Sequence, residues 1–258
     1  MSKNTNNDSG SDVRIERFNY TVTKKEQLTD EVIRLYLKAP ESSRMSFIAG
    51  QYIEILLENT EFNYFSLAGM PNEDGLLELH VRYYQGGAFS EYVFAELKES
   101  DTITLQGPLG NFYFRKESPR PILLVAGGTG FAPIKAIIEQ MIADGIDRDV
   151  YFYWGARTKA DLYLHDMAQQ WTHDDHLIHY VPVLSEAKDT DQWQGKTGLV
   201  HEAVLEDFSD LSVFDVYACG PPAMTKAVCT SFVERGLPKD QAFSDTFEFS
   251  DEEEVPEV

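Results

Sequence analysis

The chain has 258 residues, 43% hydrophobic and 25% charged, ordinary proportions for a soluble globular protein and enough material for two modest domains with buried cores. Its formal net charge of −21 repels the phosphates of nucleic acid and anionic lipid headgroups alike, so neither is an expected partner. No apolar run approaches a membrane span, and the N-terminal stretch MSKNTNNDSGSD has no hydrophobic export core, so a cytoplasmic setting without membrane insertion is expected. Two cysteines, Cys219 and Cys229, build no disulfide framework and have no spacing for zinc or an iron–sulfur cluster.

Residues 1–12 are polar and Asn/Ser-rich, and the tail at 250–258 carries Asp251, Glu252, Glu253, Glu254 and Glu257; both are expected to stay solvated and disordered. Between them the pattern changes once. From 13 to 118 short strands follow one another: Ile15–Val22, Val32–Leu37, Tyr52–Leu57, Phe62–Leu67, Leu76–Tyr84 and Thr102–Leu105, with one helix at Ser90–Leu97. Strands at this spacing predict an antiparallel β-barrel. From 119 to 249, strands Ile122–Val125, Asp149–Trp154, His179–Leu184 and Asp215–Ala218 alternate with helices Pro133–Asp144, Leu162–Thr172, Val200–Asp207 and Pro222–Arg235. That alternation predicts a parallel sheet with helices on both faces, a Rossmann-like α/β domain.

The most informative stretch is PILLVAGGTGFAP at Pro121–Pro133. Ile122–Val125 suits a strand buried on both faces, and Ile134, Ile137, Ile138, Met141 and Ile142 recur at helical spacing after the glycines. A glycine turn between a strand and a helix brings backbone amides and a helix N-terminus close to a ligand, which favours a phosphate. The turn is not G-x-G-x-x-G, so packing alone would also account for it. His173, His176 and His179 with Asp174 and Asp175 fit no common helix face, and a solvated loop is expected there instead of a metal site.

Taken together, AGGTGFAP at Ala126–Pro133, YWGAR at Tyr153–Arg157, CGPPAM at Cys219–Met224 and FSDTF at Phe243–Phe247 resemble the ferredoxin–NADP reductase superfamily. The similarity is greatest to its NAD(P)H:flavin reductases and oxygenase reductase components. The resemblance implies a flavin in the barrel, NAD(P)H on the second domain, and hydride passing from nicotinamide to flavin N5. Asn63, Tyr64, Phe65 and Ser66 stand where the family reads R-x-Y/F-S, with Phe65 against the flavin ring and Ser66 near N5. Asn63 replaces the arginine that clamps the flavin phosphate, so flavin is expected to bind loosely enough to exchange. His80, Val81 and Arg82 keep the family's H-V-R order, and Gly86, Gly87 and Ser90 match its second phosphate segment.

On the nucleotide side, the resemblance assigns the pyrophosphate to Gly127, Gly128, Thr129 and Gly130, and a place at the sheet edge to Gly155 and Arg157. Gly220 and Pro221 present Cys219 to the nicotinamide. Asp245 and Phe247 stand near the flavin ring, or cap the sheet edge. Ser185-Glu186 occupies the position where NADP-specific relatives carry Ser-Arg; a carboxylate repels a 2′-phosphate, so NADH is expected before NADPH. FAD is expected by family habit, with FMN the second candidate. The expected activity is an NAD(P)H-dependent flavin oxidoreductase feeding a separate acceptor: free flavin, a ferric complex or a ferredoxin-like protein. So acidic a chain would need a local basic patch to dock an acidic ferredoxin, which favours a small acceptor. The rival reading is a non-catalytic, flavoprotein-like subunit of an electron-transfer complex; the intact nicotinamide-side motifs argue against it.

Overall fold

A computed structural model describes residues 16–57 and 63–245. The expectations for the N-terminal residues, Phe62, Phe247 and the acidic tail lie outside the described residues.

The first half forms six antiparallel strands: β1 (Glu16–Thr29), β2 (Val32–Lys38), β3 (Tyr52–Ile55), β4 (Tyr64–Ser66), β5 (Leu76–Arg82) and β6 (Thr102–Leu109). They lie in the order β4-β3-β6-β1-β2-β5, and a bridge between Leu67 and Leu79 joins the two ends of the sheet into the expected barrel. Its core gathers Tyr20, Leu35, Leu37, Ile53, Leu79 and Leu105. Phe89 and Val93 of α1 (Ala88–Ala95) plug one side. β1 runs well past its expected end: Glu16–Thr21 pairs with β6, and the chain then bends to pair Thr21–Thr29 with β2. The polar stretch Lys24–Gln27 carries no alternation to announce this; the backbone ladder with β2 holds it.

The second half is a six-stranded parallel sheet of β7 (Ile122–Gly127), β8 (Val150–Ala156), β9 (Ile178–Leu184), β10 (Lys196–Thr197), β11 (Asp215–Cys219) and β12 (Ala242–Asp245), in the order β10-β9-β8-β7-β11-β12. α2 (Phe131–Ala143) and α3 (His165–Asp174) pack on one face, and α4 (Val200–Asp207) and α5 (Pro222–Glu234) on the other. β7 lies between both layers and every residue of it is buried, which is why it reads as a continuous apolar run. Strand order reverses between β7 and β11, and the crevice beyond their carboxyl ends is where such sheets bind ligands. Two strands escaped the sequence reading: β10, only two residues long, and β12, which pairs Ala242–Asp245 with Val216–Cys219. Among the described residues, no helix is long and apolar enough to cross a membrane.

The halves meet along β5, whose side chains alternate between two environments. Leu77, Leu79 and Val81 enter the barrel core. Glu78, His80 and Arg82 turn outward and each reaches the second half: Glu78 pairs with Lys135 at 3.0 Å, His80 meets the Tyr163 hydroxyl at 3.0 Å, and Arg82 approaches Asp161 at 3.5 Å.

Candidate active site

At the crevice, β11 and β12 end side by side with Cys219 opposite Asp245, and β4 brings Ser66 in from the barrel. Ser66 Oγ–H donates to Asp245 Oδ2 at 3.1 Å, and Cys219 Sγ–H donates to the same oxygen at 3.6 Å. Ser66, Cys219 and Asp245, which the resemblance sets near the nicotinamide and flavin rings, are therefore one cluster. Burial raises the Asp245 carboxyl to about 6, against the lowering influence of the Ser66 and Cys219 hydrogen bonds. Burial and the Asp245 charge push the Cys219 thiol well up, which suits a neutral donor and not a nucleophile.

The glycine turn starts where β7 ends. Gly128 adopts φ +52°, and a side chain on Gly130 would place its Cβ 2.2 Å from Cys219 O, so the turn packs directly against the end of β11. Beneath it, Trp154 Nε1–H donates to Gly128 O at 3.0 Å and the Trp154 and Phe131 rings stack at 3.9 Å. The turn opens on a cavity of about 420 Å³ lined by Gly127, Gly128, Gly155, Arg157, Ser185 and Pro221, six of the residues assigned to the nucleotide. Glu186 adjoins it, its amide donating to Arg157 O at 2.8 Å. Gly220 lies against Gly127 from the neighbouring strand end. A glycine-rich turn at a helix start, in a cavity that Arg82 and Arg157 also line, has the donors that a diphosphate needs.

Arg82 belongs to this cavity although it was grouped with the flavin segment. Its guanidinium is held by Glu31 at 2.6 Å, and Arg157 comes within 3.9 Å of the same carboxylate. Val81 is inside the barrel core and His80 is inside the seam, so neither side chain lines the cavity. Phe65 packs edge-on against Phe89 at 4.9 Å, and Tyr64 against Tyr52 at 5.6 Å. Gly86 has φ +83°, and its amide donates to Glu91 Oε1 at 2.8 Å. Ser90 Oγ accepts from Tyr84 N at 3.2 Å and lies 3.0 Å from Tyr84 O and Gly87 O, so this hydroxyl shapes the turn that Gly87 ends. His173 ends up in α3, and His179 sits in β9 beside Asp149 at 3.3 Å.

The sequence reading missed Trp154, Glu31, Glu78 and Lys135. Lys135 had a signal: it is the single charge inside the apolar run FAPIKAII, and it is buried.

An antiparallel barrel sharing a seam with a parallel sheet, with Ser66, Cys219 and Asp245 converging at the ends of β11 and β12, is the architecture of two-domain flavin- and dinucleotide-binding proteins. Residues 19–114 match the family described as oxidoreductase FAD-binding domain, and residues 124–230 the one described as oxidoreductase NAD-binding domain. A probable flavin reductase of Aliivibrio fischeri is 34% identical over 81% of this chain and 89% of its own length. The CDP-6-deoxy-L-threo-D-glycero-4-hexulose-3-dehydrase reductase of Yersinia pestis is 41% identical over 86% of this chain, and the match spans 66% of that protein. Among solved structures, the Amycolatopsis cytochrome P450 reductase GcoB superposes with a TM-score of 0.85 at 29% identity, over 94% of this chain and 73% of that one. The chain belongs to the ferredoxin–NADP reductase superfamily of FAD- and NAD-binding oxidoreductases.

Proposed function

We propose that this protein is a reductase that draws electrons from NADH, in preference to NADPH, through FAD and delivers them to a separate acceptor. The observation that carries the reading is the convergence of Ser66, Cys219 and Asp245 beside the glycine turn, where residues of both domains reach one point. Bound nicotinamide and flavin supply the hydride exchange, and the protein's task is to position and shield them. Gly127–Gly130 would hold the diphosphate by backbone amides, helped by Arg157 and by Arg82 from the barrel. Glu186 would disfavour a 2′-phosphate. Phe65 and Ser66 would border the flavin ring, and Gly86, Gly87 and Ser90 its phosphate side. Ser66 and Cys219 keep Asp245 oriented at the point of transfer. The division near Ser118, between β6 and β7, separates the two binding halves, although Phe112 and Phe114 pack into the core of the second.

The relatives named for a dehydrase and a cytochrome P450 system support a protein component as acceptor. The flavin reductase of Aliivibrio fischeri supports free flavin. Both groups support the enzyme reading over a non-catalytic subunit. A cytoplasmic setting belongs to the same proposal, with both cysteines as free thiols.

The test is NADH oxidation by purified protein with and without added FAD, FMN or riboflavin, after recording the absorption near about 450 nm that bound flavin supplies. Bound flavin bleached by NADH, with slow turnover on free flavins, identifies a protein acceptor; saturable dependence on added flavin identifies free flavin. No NADH oxidation under either condition overturns the proposal.

A further inference from the structure

Lys135 lies in the second turn of α2, among Ile134, Ala136, Ile137 and Ile138, with its side chain only 3% exposed. A lysine buried this deeply needs partners for its charge. It has three. Lys135 Nζ donates to Glu78 Oε2 at 3.0 Å, to Ala68 O at 3.0 Å and pairs with Glu139 Oε1 at 2.7 Å. Glu78 is itself braced: His80 Nε2 lies 2.9 Å from Oε1, and Arg34 approaches at 3.9 Å. Burial opposes ionisation of Glu78, but the hydrogen bonds from His80 and Lys135 outweigh it and hold the carboxyl below its ordinary range. An ionised Glu78 only accepts, so His80 donates from Nε2, and its Nδ1 accepts the Tyr163 hydroxyl at 3.0 Å. Burial keeps that imidazole neutral.

The two ends of this chain of contacts matter most. Ala68 stands two residues beyond Ser66, on the segment leaving β4, and its amide donates to Glu78 O at 2.8 Å. Lys135 stands five residues beyond Gly130, on the helix that begins at the glycine turn. One ammonium group thus ties the strand end bearing Ser66 to the helix bearing the nucleotide turn. A buried ion pair with a donated hydrogen bond constrains the geometry of the seam at this point.

We propose that Lys135, with Glu78 as its counter-charge, is a positioning residue that sets the approach of the diphosphate-binding turn to the Ser66 side of the flavin site. The inference rests on the reductase reading above. It assigns the pair to ring-to-ring geometry and not to nucleotide affinity, because neither side chain lines the nucleotide cavity.

The experiment compares wild type with Lys135→Met and with the neutral pair Glu78→Gln/Lys135→Gln, which keeps polar side chains if the single variant fails to fold. Three quantities are measured on flavin-loaded protein: the rate of flavin bleaching at saturating NADH, the NAD⁺ dissociation constant by calorimetry, and amide hydrogen exchange by mass spectrometry. The expected result is a bleaching rate lower by about tenfold or more with an NAD⁺ constant within about threefold, the pattern of lost geometry without lost binding. Exchange should quicken together in the peptides covering Ser66–Ala68 and Gly127–Ile134 while β2 keeps its protection. A bleaching rate within about twofold of wild type, or a loss matched by equal loss of NAD⁺ affinity, overturns the inference. Wild-type protein that NADH does not bleach overturns the reductase reading instead, and the coupled exchange of the two peptides still tests the tie.

Discussion

Ser66 Oγ donates to Asp245 Oδ2 over 3.1 Å although 179 residues of chain separate them. The bond joins the end of a barrel strand to the end of the last strand of the parallel sheet, and Cys219 donates to the same oxygen from the neighbouring strand β11. A carboxyl group in so buried a place responds to pH in two ways.

The folded-state pKa of Asp245 is raised, from 3.8 to about 6, so its contribution has the sign of a penalty. Below the lower value both folded and unfolded chains carry the proton and nothing is lost. As pH rises through that window the unfolded chain releases its proton first, and stability falls until the full cost of about 3 kcal/mol is reached above the higher value. Asp245→Asn should therefore melt higher than wild type near about pH 8 and lose that advantage near about pH 4. Calorimetric melts across the range check this. A constant difference at all pH values would place the titration elsewhere.

In the proposed reaction the same carboxylate would border the point of hydride transfer, where a negative group would favour charge developing on a bound nicotinamide. Flavin bleaching by saturating NADH should rise with pH through an apparent pKa of about 6 and become flat in Asp245→Asn. A profile unchanged by the substitution removes Asp245 from the chemistry.

Gly130→Ala tests the cradle. The new methyl would lie 2.2 Å from Cys219 O, a backbone atom that cannot turn aside. Expected are a stability loss of about 2 kcal/mol or more and a nucleotide affinity lower by at least about tenfold. Gly86→Ala is the contrast: a Cβ there meets open space, and its φ of +83° alone predicts a cost of about 1 kcal/mol. Thermal melts with NAD⁺ titrations separate the two.

Coenzyme choice is expected to turn on Glu186. In Glu186→Arg the repulsion of a 2′-phosphate becomes attraction, and kcat/KM for NADPH should rise by about tenfold or more while that for NADH changes little. Steady-state kinetics with both nucleotides decide it, and an unaltered ratio would put discrimination on another part of the cavity.

Asn63→Arg should restore the forked donor that the family uses on the flavin phosphate. The expected outcome is an FAD dissociation constant lower by about tenfold, about 1.4 kcal/mol, measured by fluorescence quenching on the flavin-free protein. Unchanged affinity would mean that the phosphate is held elsewhere, for instance at Gly86 and Gly87.

The linear sequence of this protein determined what local chemistry can write. The change from short alternating strands to strand–helix alternation near Ser118 announced a barrel and then a parallel sheet, because the side-chain periods of strands and helices differ. Glycines at 127, 128 and 130 marked a tight turn, in which Gly130 lies too close to the end of β11 for any side chain. The tertiary structure alone decided the rest. β12 is four residues whose place depends on its ladder with β11, and Arg82 reaches the cavity at the glycine turn because β5 turns that face toward the second half. Lys135 and Glu78 are 57 residues apart, and nothing local pairs them. Burial made that pairing obligatory: an ammonium removed from water must find its carboxylate, and only the docking of one half on the other brings the two within reach.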